Sequence, residues 1–211
     1  MGILKKNNGP MSKGPSIQSI SGDHWSTLKF TDGIMTDAIM KHVMGLCYLG
    51  MADAGEALEV VSRLDDKETG SWENTWAELA SRLNKRAQKS EANDKKVSAS
   101  TAYLRASTYY RMATMYMENV HSPMMEKYTR QCFDCYEKSL ELSGYPGKYV
   151  EIPYEGTYLP GYFYTSPYAK KDKAPVLILT PGRDTWAVDT RWMFDAALKR
   201  GIHCLAYDGP G

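Results

Sequence analysis

The 211-residue chain carries no apolar run approaching the ~18 residues of a membrane span; the densest, Val176–Leu179, is strand-length. It has no charge surplus: 26 Lys and Arg balance 25 Asp and Glu, for a net charge of +1. That balance argues against a nucleic-acid or anionic-membrane partner, which calls for a basic surplus or stripe. The nearest approach, Lys85, Arg86, Lys89, Lys95 and Lys96, is interrupted by Glu91 and Asp94 and reads as a solvated helix face. Cysteine is scarce. Four in a chain this long make no disulfide framework, and Cys132 and Cys135, though at CxxC spacing, have no second pair and no histidine at ligand spacing. On a helix they share a face with Tyr136, so they read as small buried hydrophobes and no metal site is expected. GxGxxG and GxxxxGK[ST] are both missing, so neither a dinucleotide nor a nucleoside triphosphate is indicated and no cofactor is expected. The N-terminus (MGILKKNNGPMSKGPS) lacks the apolar stretch of a secretory signal, and Lys6 stands where a myristoylation motif wants Ser or Thr. The cytoplasm is the default compartment.

What is present changes character near residue 145. Residues 1–24 read as a lead-in, 25–145 as a helical domain and 146–211 as a strand-rich segment. Met35, Ile39, Val43, Leu46 and Leu49 or Gly50 follow helical spacing, with Gly45 a weak point. Asp53-Ala-Gly-Glu56 reads as a capping box ahead of a helix with Leu58, Val61 and Leu64 as its buried stripe. Ser71 can cap a third helix, whose stripe is Trp72, Trp76, Leu79, Leu83 and Ala87. A fourth, about Ser98–Asn119, alternates small residues with tyrosines, implying close helix approach with phenolic tips reaching polar groups. Ser122-Pro123 opens a fifth helix that ends at Gly144.

Beyond Lys148 the period falls to two. Tyr149–Ile152 and Leu159–Tyr164 predict an antiparallel pair joined through Glu155-Gly156, with Pro160-Gly161 suggesting an edge or a bulge. Val176–Thr180 reads as a strand covered on both faces. A helix at about Val188–Arg200, closed by Gly201, leads to the strand Ile202–Tyr207, and together they make one right-handed βαβ unit. Ligands of an open α/β sheet bind outside the carboxyl ends of its strands, here at Thr180–Thr185 and Asp208–Gly211. In the first loop, Gly182 permits a sharp turn that leaves the Arg183 and Asp184 amides near a helix start. That is either an oxyanion or anion site or an ordinary βα turn.

The segments VEIPYEGTYLPGYFY, VLILTPGRDT and RGIHCLAYDGPG, behind ADAGEALEVVSRLDDKETGSWENTWAELASRLNKRA and SASTAYLRASTYYRMATMYM, resemble the α/β-hydrolases that place a helical cap domain before the core. The resemblance is to the fermentation–respiration switch esterase-like and dihydroxypseudooxynicotine hydrolase-like subgroup and covers roughly residues 30–211. It implies an α/β fold, with an all-helical cap followed by the first part of a hydrolase core: an antiparallel hairpin plus one parallel βαβ unit. It also implies that Gly182, Arg183 and Asp184 form the oxyanion loop, with Asp184 the acidic residue tied to the active site; the plainer role for Asp184 is to cap the helix starting near Trp186. Tyr103, Tyr109 and Tyr110 of the cap either line a substrate pocket or pack the helices.

The family's G-x-S-x-G elbow, acid and later histidine are missing from these residues. Ser143 and Ser166 lie in no elbow, His203 sits within a strand, and His24, His42 and His121 lie in the lead-in or cap. The expectation is thus the N-terminal portion of a serine-dependent hydrolase of esters or ketone-adjacent carbon–carbon bonds, cut before its nucleophile and inactive by itself. A small-molecule substrate is the expected partner, with a homo-oligomer left open. The rival reading is a helical binding or regulatory protein whose partial sheet another chain completes.

Overall fold

The computed structural model describes residues 28–65, 68–170, 173–182 and 184–210; the lead-in 1–24, with His24, and Arg183 lie outside them. Five helices come first: α1 (Ile34–Leu46), α2 (Ala54–Arg63), α3 (Ser71–Ala92), α4 (Lys96–Thr114) and α5 (Pro123–Ser143). Then follow β1 (Gly147–Tyr154), β2 (Thr157–Tyr164), β3 (Val176–Leu179), α6 (Arg191–Leu198) and β4 (His203–Tyr207), with short 3-10 turns at Cys47–Leu49 and Ala187–Thr190. The expected helix at Val188–Arg200 is therefore a 3-10 turn running into a shorter α-helix.

Helix α4 packs between α3 and α5 and is buried on nearly every side. That explains its composition: a helix covered all round has no polar stripe, and its Ala, Ser and Thr residues let two neighbours approach. It ends at Thr114, short of the expected Asn119, and Tyr116 and Val120 stand exposed beyond it. The α3 stripe lies in the core as read, with Trp76 fully buried between Trp72 (centroids 5.7 Å apart) and Tyr109 (5.3 Å).

Three local readings need correction. Ser71 is not a cap: Gly70 precedes the helix in the left-handed region, and the Ser71 hydroxyl accepts from the Asp65 amide. In α2 the buried positions are Ala57 and Val60, while Leu58 is exposed, because the face that meets α3 is set one residue away. In α1 the buried set is Asp37, Met40, Val43 and Leu46, with Met35 outside; the Asp37 carboxylate is held by the Phe30 amide (2.6 Å) and Lys41 (2.7 Å). The Ser122 cap of α5 and its left-handed Gly144 are as expected.

The sheet runs β1-β2-β4-β3, with β1/β2 and β2/β4 antiparallel and β3/β4 parallel. Glu155 (φ 44°) and Gly156 (φ 82°) both take positive φ, as a two-residue hairpin of this hand demands. Pro160 lies neither on an edge strand nor in a bulge: β2 is an inner strand in unbroken register with β1. It is tolerated because it stands where the β2/β4 ladder runs out, accepting from the Asp208 amide at 2.9 Å. At Gly161 a Cβ would come within 2.6 Å of the Ala206 carbonyl oxygen, so only glycine permits this strand spacing. β3 departs most from expectation. It forms one edge of the sheet, and Val176, Leu177 and Ile178 are exposed rather than covered.

Helix α5 meets the sheet through aromatic residues. The Tyr136 and Tyr164 hydroxyls hydrogen-bond at 2.6 Å in a buried setting, and Tyr164 packs on Phe194. Burial pushes the Tyr136 phenol up to about 12. Cys132 and Cys135 are buried free thiols on this helix, and burial pushes Cys135 up to about 12.

Candidate active site

The parallel register of β3 and β4 brings their carboxyl ends to one edge, where Leu179 stands opposite Ala206. The loops at Thr180–Trp186 and Asp208–Gly209 therefore lie side by side, joined by a 3.0 Å hydrogen bond between the Thr180 and Tyr207 hydroxyls. In the first loop the Thr185 amide donates to the Gly182 carbonyl at 3.2 Å, closing a tight turn. Gly182 itself does not occupy the left-handed region, and a Cβ on it would meet nothing within 4 Å. Its lack of a side chain leaves open space beside the loop rather than enabling the turn.

One residue of the helical layer governs this loop. Arg111 of α4 is only 4% exposed. Its Nε donates to Asp189 Oδ2 at 3.0 Å, its Nη1 to the Thr114 hydroxyl at 3.1 Å, and its Nη2 to the Asp184 carbonyl. Its guanidinium carbon also lies 4.2 Å from the centre of the Trp186 ring. A buried guanidinium is tolerated only when paired and hydrogen-bonded, and here the partners are the loop and the turn that follows it. Asp189 Oδ2 also accepts from the Trp186 amide (2.9 Å), and Asp208 Oδ1 accepts from the Ala187 amide (2.8 Å). The start of this helical turn is thus capped by Asp189 and Asp208. The capping role considered for Asp184 is not what the structure shows: Asp184 is exposed, and its charge lies close enough to Tyr116 to add to the effect of burial in raising that phenol.

Between the loops and the helices is a cleft of about 470 Å³ lined by Phe133, Pro181, Gly182, Thr185, Trp186, Asp208 and Gly209. Phe133 of α5 stacks on Trp186, with centroids 5.8 Å apart and planes 13° from parallel, and forms its apolar wall. The other side is polar. Burial raises the Asp208 carboxyl, with a smaller push from the Asp189 charge, against the lowering effect of the Ala187 amide. Such a cleft can take a small molecule with an apolar group against the rings and a polar group at the loops.

Gly182 and Asp184 thus lie at the loop, whereas Tyr103, Tyr109 and Tyr110 line no part of this cleft. Tyr103 donates to Glu91 at 2.6 Å, Tyr109 donates to Glu56 at 2.8 Å, and Tyr110 is buried and stacked on Tyr128. These faces of α4 meet other helices; Arg111 presents the face that meets the loop. The sequence assigns no role to Arg111, Phe133, Trp186 or Asp189, and marks Asp208 only as the start of its loop. An arginine in a helix otherwise covered all round was the available signal for the first. Ser166 is no nucleophile, since its hydroxyl donates to the Leu198 carbonyl at 2.5 Å, and His203 Nδ1 is taken by the Ser166 amide at 2.9 Å. Among the described residues no group of three His, Cys, Asp or Glu side chains is gathered as a metal site, and no helix is long and apolar enough to cross a membrane.

A family model described as esterase FrsA-like matches residues 57–211. Curated relatives include the alpha/beta hydrolase xenA of Xenoacremonium sinensis, 31% identical over 86% of this chain and 44% of that protein. The alpha/beta hydrolase psoB of Aspergillus fumigatus is 29% identical over 76% of this chain and 38% of its own length. Among solved structures, the 2,6-dihydroxy-pseudo-oxynicotine hydrolase superposes with a TM-score of 0.62 at 20% identity, over 79% of this chain and 45% of that one. The likeness extends to AbyA5 (TM-score 0.53, 18% identity, 82% of this chain and 44% of that one). These two show the fold alone: a mixed α/β architecture of the α/β-hydrolase type. The chain spans less than half the length of the relatives it matches.

Proposed function

The chain belongs to the FrsA-like esterase family, and from that premise we propose that it supplies the helical cap and the oxyanion loop of a serine-dependent hydrolase. The reaction class is cleavage of an ester or of a carbon–carbon bond next to a ketone in a small-molecule substrate. One observation carries this reading. The loop at 180–185 stands at the carboxyl end of a parallel strand, opens on a cleft with an aromatic wall, and is held from the helical layer by Arg111. Amides fixed in this way can meet the negative charge that develops on a carbonyl oxygen under attack, and being fixed beforehand they need no reorganisation. In this reading Asp184, exposed on the loop, is the acidic residue tied to the active site, while the Phe133 and Trp186 wall takes the substrate's apolar part.

The nucleophile, acid and histidine are assigned to residues other than these 211, which contain no G-x-S-x-G segment. The purified 211-residue polypeptide is therefore expected to leave short p-nitrophenyl esters intact and to resist labelling by a fluorophosphonate. Turnover that stays with the protein through purification, together with a labelled serine, would overturn this assignment.

A further inference from the structure

We propose that the groove between α1 and α6 is a second ligand site, built for a flat aromatic carboxylate and separate from the loop cleft. Its volume, about 540 Å³, suits one small organic molecule. Leu46 and Leu49 line its helical side and Ala196 its α6 side. At its rim stand two large rings in contact with water: Tyr48, 92% exposed, and Trp192, 45% exposed. Rings so placed gain from being covered by another flat apolar surface.

Charge at the groove selects the ligand's sign. Lys199 and Arg200 flank it, and among the described residues neither is ion-paired; Arg200 donates one Nη1 bond to the Ala196 carbonyl at 2.8 Å. The one lining carboxylate, Asp195, is engaged by the Tyr145 hydroxyl. The rim is thus net positive and complements an anion. Cations near the end of a helix also interact well with its dipole, but that accounts only for the charges.

Gly45 is the independent observation. It lies inside α1, where glycine is the poorest residue after proline, and it does not occupy the left-handed region. A Cβ on it would meet nothing within 4 Å. No packing partner and no backbone conformation calls for glycine here, and the space a side chain would fill is the groove that Gly45 lines. The missing side chain keeps the site open.

The proposal does not depend on the hydrolase reading and is tested on the 211-residue chain by titration calorimetry. 2-Naphthoate should bind saturably to one site, and the neutral 2-naphthamide at least tenfold more weakly. Gly45→Leu should cut 2-naphthoate affinity at least tenfold without lowering the thermal midpoint, while Gly45→Ala should retain binding. Trp192→Ala, at an exposed position, should weaken it at least fivefold and guards against a misfolded Gly45 variant. Absence of binding up to millimolar 2-naphthoate, equal affinity for the amide, or unchanged affinity in both Gly45→Leu and Trp192→Ala would overturn the proposal.

Discussion

The Tyr109 hydroxyl stands between the two ends of the α2 cap, donating to Glu56 at 2.8 Å and accepting from the Asp53 amide at 2.9 Å. Asp53 itself accepts from the Glu56 amide at 3.1 Å, which is the first half of a capping box. The second half is diverted. Instead of Glu56 reaching back to the Asp53 amide, a phenol from α4 accepts from that amide and donates its O–H to Glu56, which Arg105 also holds at 2.9 Å. Tyr109→Phe keeps the ring against Trp76 and strands these polar groups, so it should cost about 1–3 kcal/mol. At roughly 2–4 °C per kcal/mol for a chain of this size, the thermal midpoint should fall by several degrees. Because Glu56→Gln acts on the same hydroxyl, the double variant should lose less than the sum of the singles. Full additivity in the melts would show that the bridge does not stabilise the cap.

Arg111 should matter in a different way. Replacing one partner of a buried ion pair leaves the other uncompensated, so Arg111→Met should destabilise by about 3–5 kcal/mol. In an Asp189→Asn background the same substitution should cost distinctly less, since no buried carboxylate is then abandoned. Hydrogen exchange should quicken at the Trp186 and Ala187 amides, where Asp189 and Asp208 cap the turn that Arg111 braces. Equal costs in both backgrounds, with unchanged exchange at these amides, would refute the brace.

These two residues show what the sequence could and could not disclose. Helical spacing found the tryptophan stripe of α3 because its neighbours bury one face only. For α4 the same pattern located a helix and its small residues, but a helix buried all round gives no sign of which neighbour each side meets. The tyrosines and Arg111 were therefore not separable by function. The loop after β3 was legible because its place follows from strand order, and Asp208 was visible within its motif. Its partnership with the Ala187 amide was not, since it joins positions brought together only when β4 pairs with β3. The exposure of β3 is hidden from the sequence for a related reason. Apolar content reports what a strand is suited to meet, while its exposure here reports that it lies at a sheet edge.

Asp208 carries a pH dependence with a definite sign. Burial raises its carboxyl in the folded protein above the unfolded value of about 3.9. The folded state thus binds more protons between those two values, and its ionisation costs stability. The cost is absent below the unfolded pKa, grows as pH rises through the folded pKa, and is constant above it. Asp208→Asn retains an oxygen for the Ala187 amide and removes the charge. Its midpoint should exceed that of the parent at pH 7 to 8, and the gap should close as pH is lowered toward 4. A variant less stable than the parent at pH 7 would mean that the ionised carboxylate is a net stabiliser at the turn.

The exposed edge of β3 makes a prediction about association. Val176, Leu177 and Ile178 are 45%, 43% and 61% exposed on a strand whose outer backbone groups face no other strand of this sheet. A flat apolar edge of this kind is a template for pairing with another chain, and charge on the edge is the common natural protection. Ile178→Lys places a cation at the most exposed of the three. Because little apolar area is lost there, the thermal midpoint should stay within about 2 °C, the shift of a surface substitution of about 0.5 kcal/mol. Sedimentation velocity should show the parent chain associating as its concentration rises and the variant associating less. If both sediment alike across the range, the edge is not the contact, and association must be sought at another surface.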